Sequence, residues 1–580
     1  MKDPIITTNP ALCHDCYCCV RNCNVKAIRV KDGQAQIVPE LCIVCGTCVR
    51  VCPQKAKGVR SARPDVLDAM RQRKRVIASV APSGPACFDI ENFSQMESAL
   101  KALGFSAAEE TAVGAEIVAI AHREYMEKAP QHRPLITSAC PVVVNLIVQY
   151  YPDLIPHLAP IVSPMIAHGR LLAKKYGPDA FIVFIGPCIA KKQEILENSI
   201  EGVVHAAMTF RGLDEWLGEA RITFPPPSLR RQTEDGLPEG ALPPEKARLF
   251  PLEGGLLGTA HMSTDILGEG MVVASGIDAC QEALNDIRIG TLNAGLVELL
   301  ACKGGCVNGP RQADNDGGIS LARQKILRFH SARQPGLQVP REEWPTLERT
   351  LEDQKVSVPE FSEEQIREVL HNVNKYTPDD ELNCGACGYS SCREKAVATL
   401  RGMAEMTMCI PYMRRRSESL RQVVMDVTPD SIIIVDHALK IQDMSPSTER
   451  LFNCALKDMA GQPLSALFPT LEDFIQVRDT GQPIIGKVRR LAENIFVEQT
   501  IVRVEKQSLV VAILRDITER AKEREKFNAL RVETLDKTRE VVGKQMRVAH
   551  QIAQLLGETT AESKMIVTHL AKLLEEEGPQ

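Results

Sequence analysis

The sequence predicts a multidomain chain of mixed α/β and α+β architecture organised around clustered cysteines. Three observations carry that expectation. Sixteen of the 20 cysteines fall into four sets of four. Between Val76 and about Phe329, short apolar runs bounded by Gly and Pro alternate with helical patterns, as in α/β domains. Beyond residue 418 the clustered thiols stop, and a sheet-rich segment leads into a charged helical tail. At 580 residues, 25% charged and 44% hydrophobic, the chain should form several cores rather than one. A net charge of −5 implies no general nucleic-acid affinity. Met1 to Asn9 lacks the apolar core of a signal peptide, and no apolar run reaches the length of a membrane span. Clustered thiols without an export signal point to metal ligation in a reducing cytoplasm rather than to disulfides.

Residues 1–60 form the first piece. Cys13, Cys16, Cys19 and Cys23 read CxxCxxCxxxC, and Cys42, Cys45, Cys48 and Cys52 repeat the pattern, closed by Pro53. The repeat resembles the double bacterial-ferredoxin signature, in which the last cysteine of each run ligates the other run's cluster. That resemblance implies one [4Fe-4S] cluster on Cys13, Cys16, Cys19 and Cys52, and a second on Cys42, Cys45, Cys48 and Cys23. A structural zinc pair is the alternative, although zinc sites usually combine CxxC pairs with longer separations or histidine. Arg60 to Arg75 reads as a basic linker.

Residues 76–330 form the α/β domain, with Val76–Val80 and Phe181–Ile185 as buried strands and the Pro-rich stretch Phe224 to Pro251 as a surface loop. Four cysteines sit here in three separated segments: Thr137-Ser138-Ala139-Cys140-Pro141, Gly186-Pro187-Cys188-Ile189-Ala190-Lys191, and Glu298-Leu299-Leu300-Ala301-Cys302-Lys303-Gly304-Gly305-Cys306. Cys188 directly follows a strand, and ligands of open α/β folds gather at the carboxyl ends of strands. In this order the three segments resemble the signature loops of the [FeFe]-hydrogenase family. The resemblance implies that Cys140, Cys188, Cys302 and Cys306 hold a [4Fe-4S] cluster, with Cys306 bridging to a di-iron subcluster carrying CO, cyanide and azadithiolate, together the H-cluster. Lys191 matches the family lysine that hydrogen-bonds a cyanide ligand, a reasonable role for a charged donor in a dry pocket.

The chain also departs from that family. Ala139 replaces the cysteine that relays protons in catalytic members, and a methyl group cannot carry a proton. Gly186 stands where a methionine usually lies near the di-iron site, and Asn308-Gly309-Pro310 replaces a longer glycine run. The segment Ala115 to Tyr125 lacks the paired glutamates of the relay, although Glu116 and Glu124 are nearby. These changes argue against rapid turnover and leave cluster binding intact.

Residues 365–415 carry the fourth set, Cys384, Cys387, Cys392 and Cys409, which looks like the single-[4Fe-4S] domain of corrinoid iron-sulfur proteins, with zinc as the alternative. Cys18, Cys87, Cys280 and Cys454 receive no role; a lone cysteine is usually a small buried hydrophobe. Residues 418–517 resemble a PAS domain: Asp430–Asp436 reads as its opening strand, Ser445–Phe452 as its first helix, and Ile513–Arg520 as its closing strand and exit. His437 reads as a solvated turn residue rather than a haem ligand, and the PAS ligand, if any, is open. In residues 518–580, Val542, Met546, Ala549, Ala553 and Leu556 form a stripe suited to a coiled coil, which Gly557 is expected to break. Ile566, Leu570 and Leu573 continue an amphipathic pattern beyond it. No nucleotide-binding motif follows His550, which argues against phosphotransfer there.

Hydrogenase loops, Ala139 and an appended PAS segment together are similar to the sensory branch of the [FeFe]-hydrogenases. The resemblance implies an H2 sensor with slow reversible H2 oxidation, four [4Fe-4S] clusters including the one in the H-cluster, and a homodimer reporting to a separate kinase, phosphatase or regulator. Its alternatives are a catalytic hydrogenase linked to a ferredoxin-like electron carrier, and an iron-sulfur redox sensor or assembly scaffold without the di-iron centre.

Overall fold

The structure, a computed structural model, describes residues 4–128, 134–197, 200, 202–226, 246–263, 270–311, 317–331, 339–492, 495–504 and 509–575. The chain divides into two compact units, Met1–Met413 and Arg414–Gln580.

The first unit opens with a cysteine-rich module whose backbone repeats along with its sequence. Strands Ile6–Thr8 and Lys57–Val59 pair antiparallel, as do Ile28–Lys31 and Gln34–Ile37. Between them lie two short helices, Cys18–Arg21 and Thr47–Arg50. Left-handed residues recur at matching places: Asp15 and Val44 (φ 49° and 56°), Tyr17 and Gly46 (55° and 75°), Lys26 and Lys55 (50° and 51°). A β-branched residue at positive φ is strained, and strain persists where the surrounding structure has a use for that geometry.

Arg60 to Arg75 is not a linker. Arg63–Arg71 is a helix, with Pro64 in its first turn and Val66 and Ala69 buried in the main core. Its basic residues lie outside that contact, where the Arg63 guanidinium sits 5.3 Å over the Trp216 ring.

The α/β domain holds two parallel sheets. One runs in the order Ala107–Glu110, Val76–Val80, Phe181–Gly186, Ala206–Thr209. The other runs in the order Met271–Ser275, Leu296–Leu300, Leu135–Ile136. Val76–Val80 and Leu296–Leu300 are buried throughout, as expected of parallel strands covered by helices on both faces. Of the Phe224–Pro251 stretch, residues 227–245 lie outside the described residues. Its end is not a surface loop: Lys246–Leu249 is a short helix whose buried Arg248 pairs with Glu110 at 2.7 Å.

The unit ends in a small helical module. Helices Glu363–His371 and Cys392–Leu400 pack through Val369, Leu370 and Ala396. The Arg21 guanidinium donates to Ala386 O at 3.0 Å and the Lys26 ammonium to Gly388 O at 2.7 Å, fastening this module to the first cysteine run.

In the second unit, a five-stranded antiparallel sheet runs in the order Ile441–Met444, Ser431–Val435, Leu509–Asp516, Ile495–Val504, Ile484–Ala492. Its core includes Ile433, Val435, Phe468, Phe474 and Ile501. His437 is exposed in a turn. Thr518–Glu575 is one helix, so Gly557 does not interrupt it. A single glycine costs a helix about 1 kcal/mol, too little to end one of this length. Among the described residues, no helix is long and apolar enough to cross a membrane.

Candidate active site and cluster sites

Three parallel strands deliver the four cysteines of the α/β domain. Leu135–Ile136 leads through Thr137, Ser138 and Ala139 to Cys140, which caps the start of helix Pro141–Tyr150. Phe181–Gly186 leads to Cys188 and then to the helical turn Lys191–Glu194. Leu296–Leu300 leads to Cys302 and Cys306. Between those two cysteines, Gly305 has φ +92°, and a Cβ there would collide with Pro251 O and Leu252, so only glycine lets the chain pass.

The thiols converge electrostatically. Burial pushes Cys188 up to about 11, reinforced by Cys140 beside it. Burial pushes Cys306 up to about 12, with Cys140 and Cys188 as further causes, and raises Cys302 with Cys306, Cys188 and Cys140 as neighbours. Several thiols that resist ionisation at one buried point need a cation before they can become thiolates. A metal cluster supplies that charge, so the donor set fits one.

Lys191 lies at the same point, where it favours ionisation of both Cys188 and Cys306. It is 8% exposed, not a surface lysine, and its ammonium donates to Ser163 Oγ and Glu194 Oε2, each at 2.7 Å. An ammonium has three hydrogens, so one remains. The neighbouring Lys192 is buried too, lowered to about 8 by burial. A Cβ at Gly186 would stand 2.6 Å from the Phe184 ring and 3.1 Å from Ala81 Cβ, so the space beside Gly186 is filled.

Of the two glutamates near the expected relay segment, Glu124 pairs with Arg341, and Glu116 is raised by burial. On the same helix the buried His122 places Nε2 3.2 Å from Ser138 Oγ and Nδ1 2.7 Å from Val118 O. Burial lowers this imidazole to about 4. Glu298, fully buried, accepts from Leu257 N at 3.1 Å, and burial raises it to about 7. Neither residue was singled out by sequence reasoning, because nothing in their spacing marks them.

In the N-terminal module the closing cysteine of the first run, Cys23, sits with the thiols of the second. Cys23 is coupled to Cys45, and Cys42 and Cys48 are raised by burial and by one another's set, including Cys23. Cys19 neighbours Cys13 and Cys16. Cys23 Sγ accepts from Ala27 N and Cys52 Sγ from Ala56 N, both at 3.3 Å, so the two closing cysteines occupy equivalent positions. Cys384, Cys387, Cys392 and Cys409 line one small pocket. Of the unassigned thiols, Cys280 is buried near Cys140 and Cys18 donates to Val51 O at 3.2 Å.

Four thiol sets of this kind define the class: an iron-sulfur redox protein. Comparison with known proteins agrees. Residues 74–310 match the family model for the iron only hydrogenase large subunit, C-terminal domain, 35–57 the 4Fe-4S binding domain, 380–411 a putative Fe-S cluster family and 419–517 the PAS fold. The chain is 28% identical over 285 residues to the periplasmic [Fe] hydrogenase large subunit of Nitratidesulfovibrio vulgaris, covering 41% of this chain and 66% of that one. It is 26% identical over 294 residues to iron hydrogenase 1 of Clostridium pasteurianum, covering 41% and 50%. Over 99 residues it is 32% identical to the cytosolic Fe-S cluster assembly factor NAR1 of Kluyveromyces lactis, covering 17% and 21%. The chain thus spans about half to two thirds of the two hydrogenase relatives' length. Among solved structures, a variant of [FeFe]-hydrogenase HydA1 from Chlamydomonas reinhardtii aligns with a TM-score of 0.39 at 18% identity, covering 51% of this chain and all of that one. The PAS domain of nitrogen regulation protein NR(II) from Vibrio parahaemolyticus aligns with a TM-score of 0.16 at 22% identity, covering 17% and 98%. This chain is an [FeFe]-hydrogenase-like protein with a C-terminal PAS domain.

Proposed function

We propose that the chain senses H2, oxidising it slowly and reversibly to two protons and two electrons, and reports its redox state through the PAS domain and terminal helix to a separate signalling protein. When bound, the H-cluster would supply H2 activation and the remaining cubanes electron storage. Cys140, Cys188, Cys302 and Cys306 would hold the H-cluster. Cys13, Cys16, Cys19 and Cys52, Cys42, Cys45, Cys48 and Cys23, and Cys384, Cys387, Cys392 and Cys409 would hold three further [4Fe-4S] clusters.

The observation that carries the sensory reading is Ala139, which directly precedes Cys140 in a chain that still gathers all four thiols. A proton leaving the site finds a methyl group there, and positioned acid-base groups are typically worth ~10^2 to 10^4 in rate. The other residues have consistent roles: Lys191 would hold an anionic ligand with its remaining hydrogen, while Ser163 and Glu194 fix its direction. Infrared spectra of protein matured with the di-iron assembly machinery test this reading. CO and cyanide bands that shift between H2 and an inert atmosphere are expected. Their absence from matured protein would leave the cubane-only alternative.

That second reading, a redox sensor or assembly scaffold holding only cubanes, is favoured by one observation. The Phe184 ring occupies the space beside Gly186, where the family's methionine would lie near the di-iron unit. Iron content separates the two. Four cubanes need about 16 irons per chain, and a filled di-iron site adds two.

A further inference from the structure

The helix Cys392–Leu400 carries a buried ammonium with nothing to bind. Lys395 is 4% exposed, and its Nζ is a buried polar atom without a hydrogen-bond partner. It lines the same pocket as Cys384, Cys387, Cys392 and Cys409. The other buried lysines near cysteine sets are occupied: Lys57 donates to Thr8 Oγ1 and Ala35 O, and Lys191 to Ser163 and Glu194. Among the described residues, Lys395 is the one lysine whose ammonium is both buried and unpaired. Lys375, which lines the pocket as well, donates to Asp380 O.

Burying an ammonium without a partner is costly enough that the group normally finds a counter-charge or loses its proton. Burial does lower Lys395, while Cys409, Cys387 and Cys392, the nearby thiols, favour its charged form. A [4Fe-4S] cluster on four thiolates is an anion, and reduction adds one more negative charge. Apolar side chains such as Val369, Leu370 and Ala396 line the pocket beside the polar Asn383 and Ser391 and the occupied Lys375, so among the described residues Lys395 is its one unpaired cation.

We infer that Lys395 is the built-in counter-charge of the cluster held by Cys384, Cys387, Cys392 and Cys409, and that its ammonium raises that cluster's reduction potential. The inference rests on the reading that these thiols hold a [4Fe-4S] cluster. One electron, supplied by dithionite through mediators in the assay, enters the cluster beside a fixed positive charge. The reduced form is therefore favoured over the oxidised one. Lys395 acts as a positioning charge and touches no substrate.

The test is an EPR-monitored redox titration of the full chain, with this cluster's wave identified by its disappearance in Cys392→Ala. Lys395→Met should shift the reduction equilibrium of that wave at least tenfold toward the oxidised form, about 59 mV for one electron. The other waves should stay in place, and Lys395→Arg should stay near wild type. A Lys395→Met protein with full iron and an unmoved wave would overturn the inference. Should Lys395→Met shed the cluster, Lys395→Arg decides: retention supports the charge, and loss assigns Lys395 to packing and overturns it. A wild type whose iron content is unchanged by Cys392→Ala would instead remove the cluster reading itself.

Discussion

Gly46, inside the second cysteine run, meets Ile189, the residue after Cys188, so closely that a Cβ at position 46 would stand 2.7 Å from Ile189 Cδ1 and from the Pro310 side chain. The contact presses the Cys42–Cys48 loop against the loop that follows strand Phe181–Gly186. Tyr150 strengthens it from the helix after Cys140, donating to Leu41 O at 2.6 Å. The two cysteine loops are thereby held against each other by the close fit of Ile189 and Pro310 on Gly46 and by the Tyr150 hydroxyl, an arrangement suited to electron transfer.

Gly46→Ala should therefore be costly twice over. The residue has φ +75°, which an L side chain resists, and the new methyl group has no room. Together these should lower stability by about 2–4 kcal/mol, read as a reduced midpoint in urea unfolding of the first unit. A midpoint within error of wild type would mean the two loops separate freely.

Ala139→Cys addresses proton delivery. The thiol would restore a proton carrier next to Cys140, and H2 oxidation by the matured protein should rise about 10^2-fold, while the CO and cyanide bands barely move. Cys140→Ser or Cys306→Ser should instead lose the bands. Turnover by the matured wild type as fast as that of relay-intact hydrogenases would show that Ala139 limits nothing.

The imidazole of His122 gives the fold a pH dependence of known sign. An unfolded histidine titrates near 6.5, whereas burial holds His122 at about 4. Between those values the unfolded chain binds a proton that the folded chain refuses, so stability is full above pH 6.5 and falls as the pH drops toward 4. The whole window is worth about 3 kcal/mol, of which about 2 is lost by pH 5. Comparing urea unfolding at pH 7 and pH 5, His122→Gln should lose less stability than wild type by about that amount. Equal losses would assign the acid sensitivity to other groups.

How much of this was legible in the sequence depends on what kind of constraint each residue obeys. Metal ligands must be particular residue types at particular offsets, so Cys13 to Cys52 and Cys384 to Cys409 stand out by spacing alone. Cys140, Cys188 and Cys302 are far apart in sequence, and only resemblance joined them; their common position at strand ends is the physical reason they meet. His122, Glu298 and Lys395 were invisible because their chemistry comes from burial, which no local pattern encodes. The helix Arg63–Arg71 was missed for a related reason: its apolar face, Val66 and Ala69 with the partly buried Leu67 and Met70, is short and is outweighed in the sequence by surrounding arginines.

The terminal helix supplies the last expectation. Along Thr518–Glu575, Phe527, Leu530, Val542, Met546, Leu556, Ile566 and Leu570 are all exposed, and a single helix with an uncovered apolar stripe needs a partner to be stable in water. A second copy of the chain offers the same stripe, so the protein should be a homodimer through this helix. Introducing Val542→Glu with Met546→Glu should convert it to a monomer by light scattering while cluster content and any H2 oxidation persist. Deleting residues 418–580 should likewise spare the clusters and abolish an H2-dependent response in a partner protein, because a helix pair transmits a change in packing but performs no chemistry itself. Loss of the α/β-domain cluster on that deletion would make the tail structural and remove the main support for signalling. A full-length monomer under both H2 and an inert atmosphere would end the dimer argument.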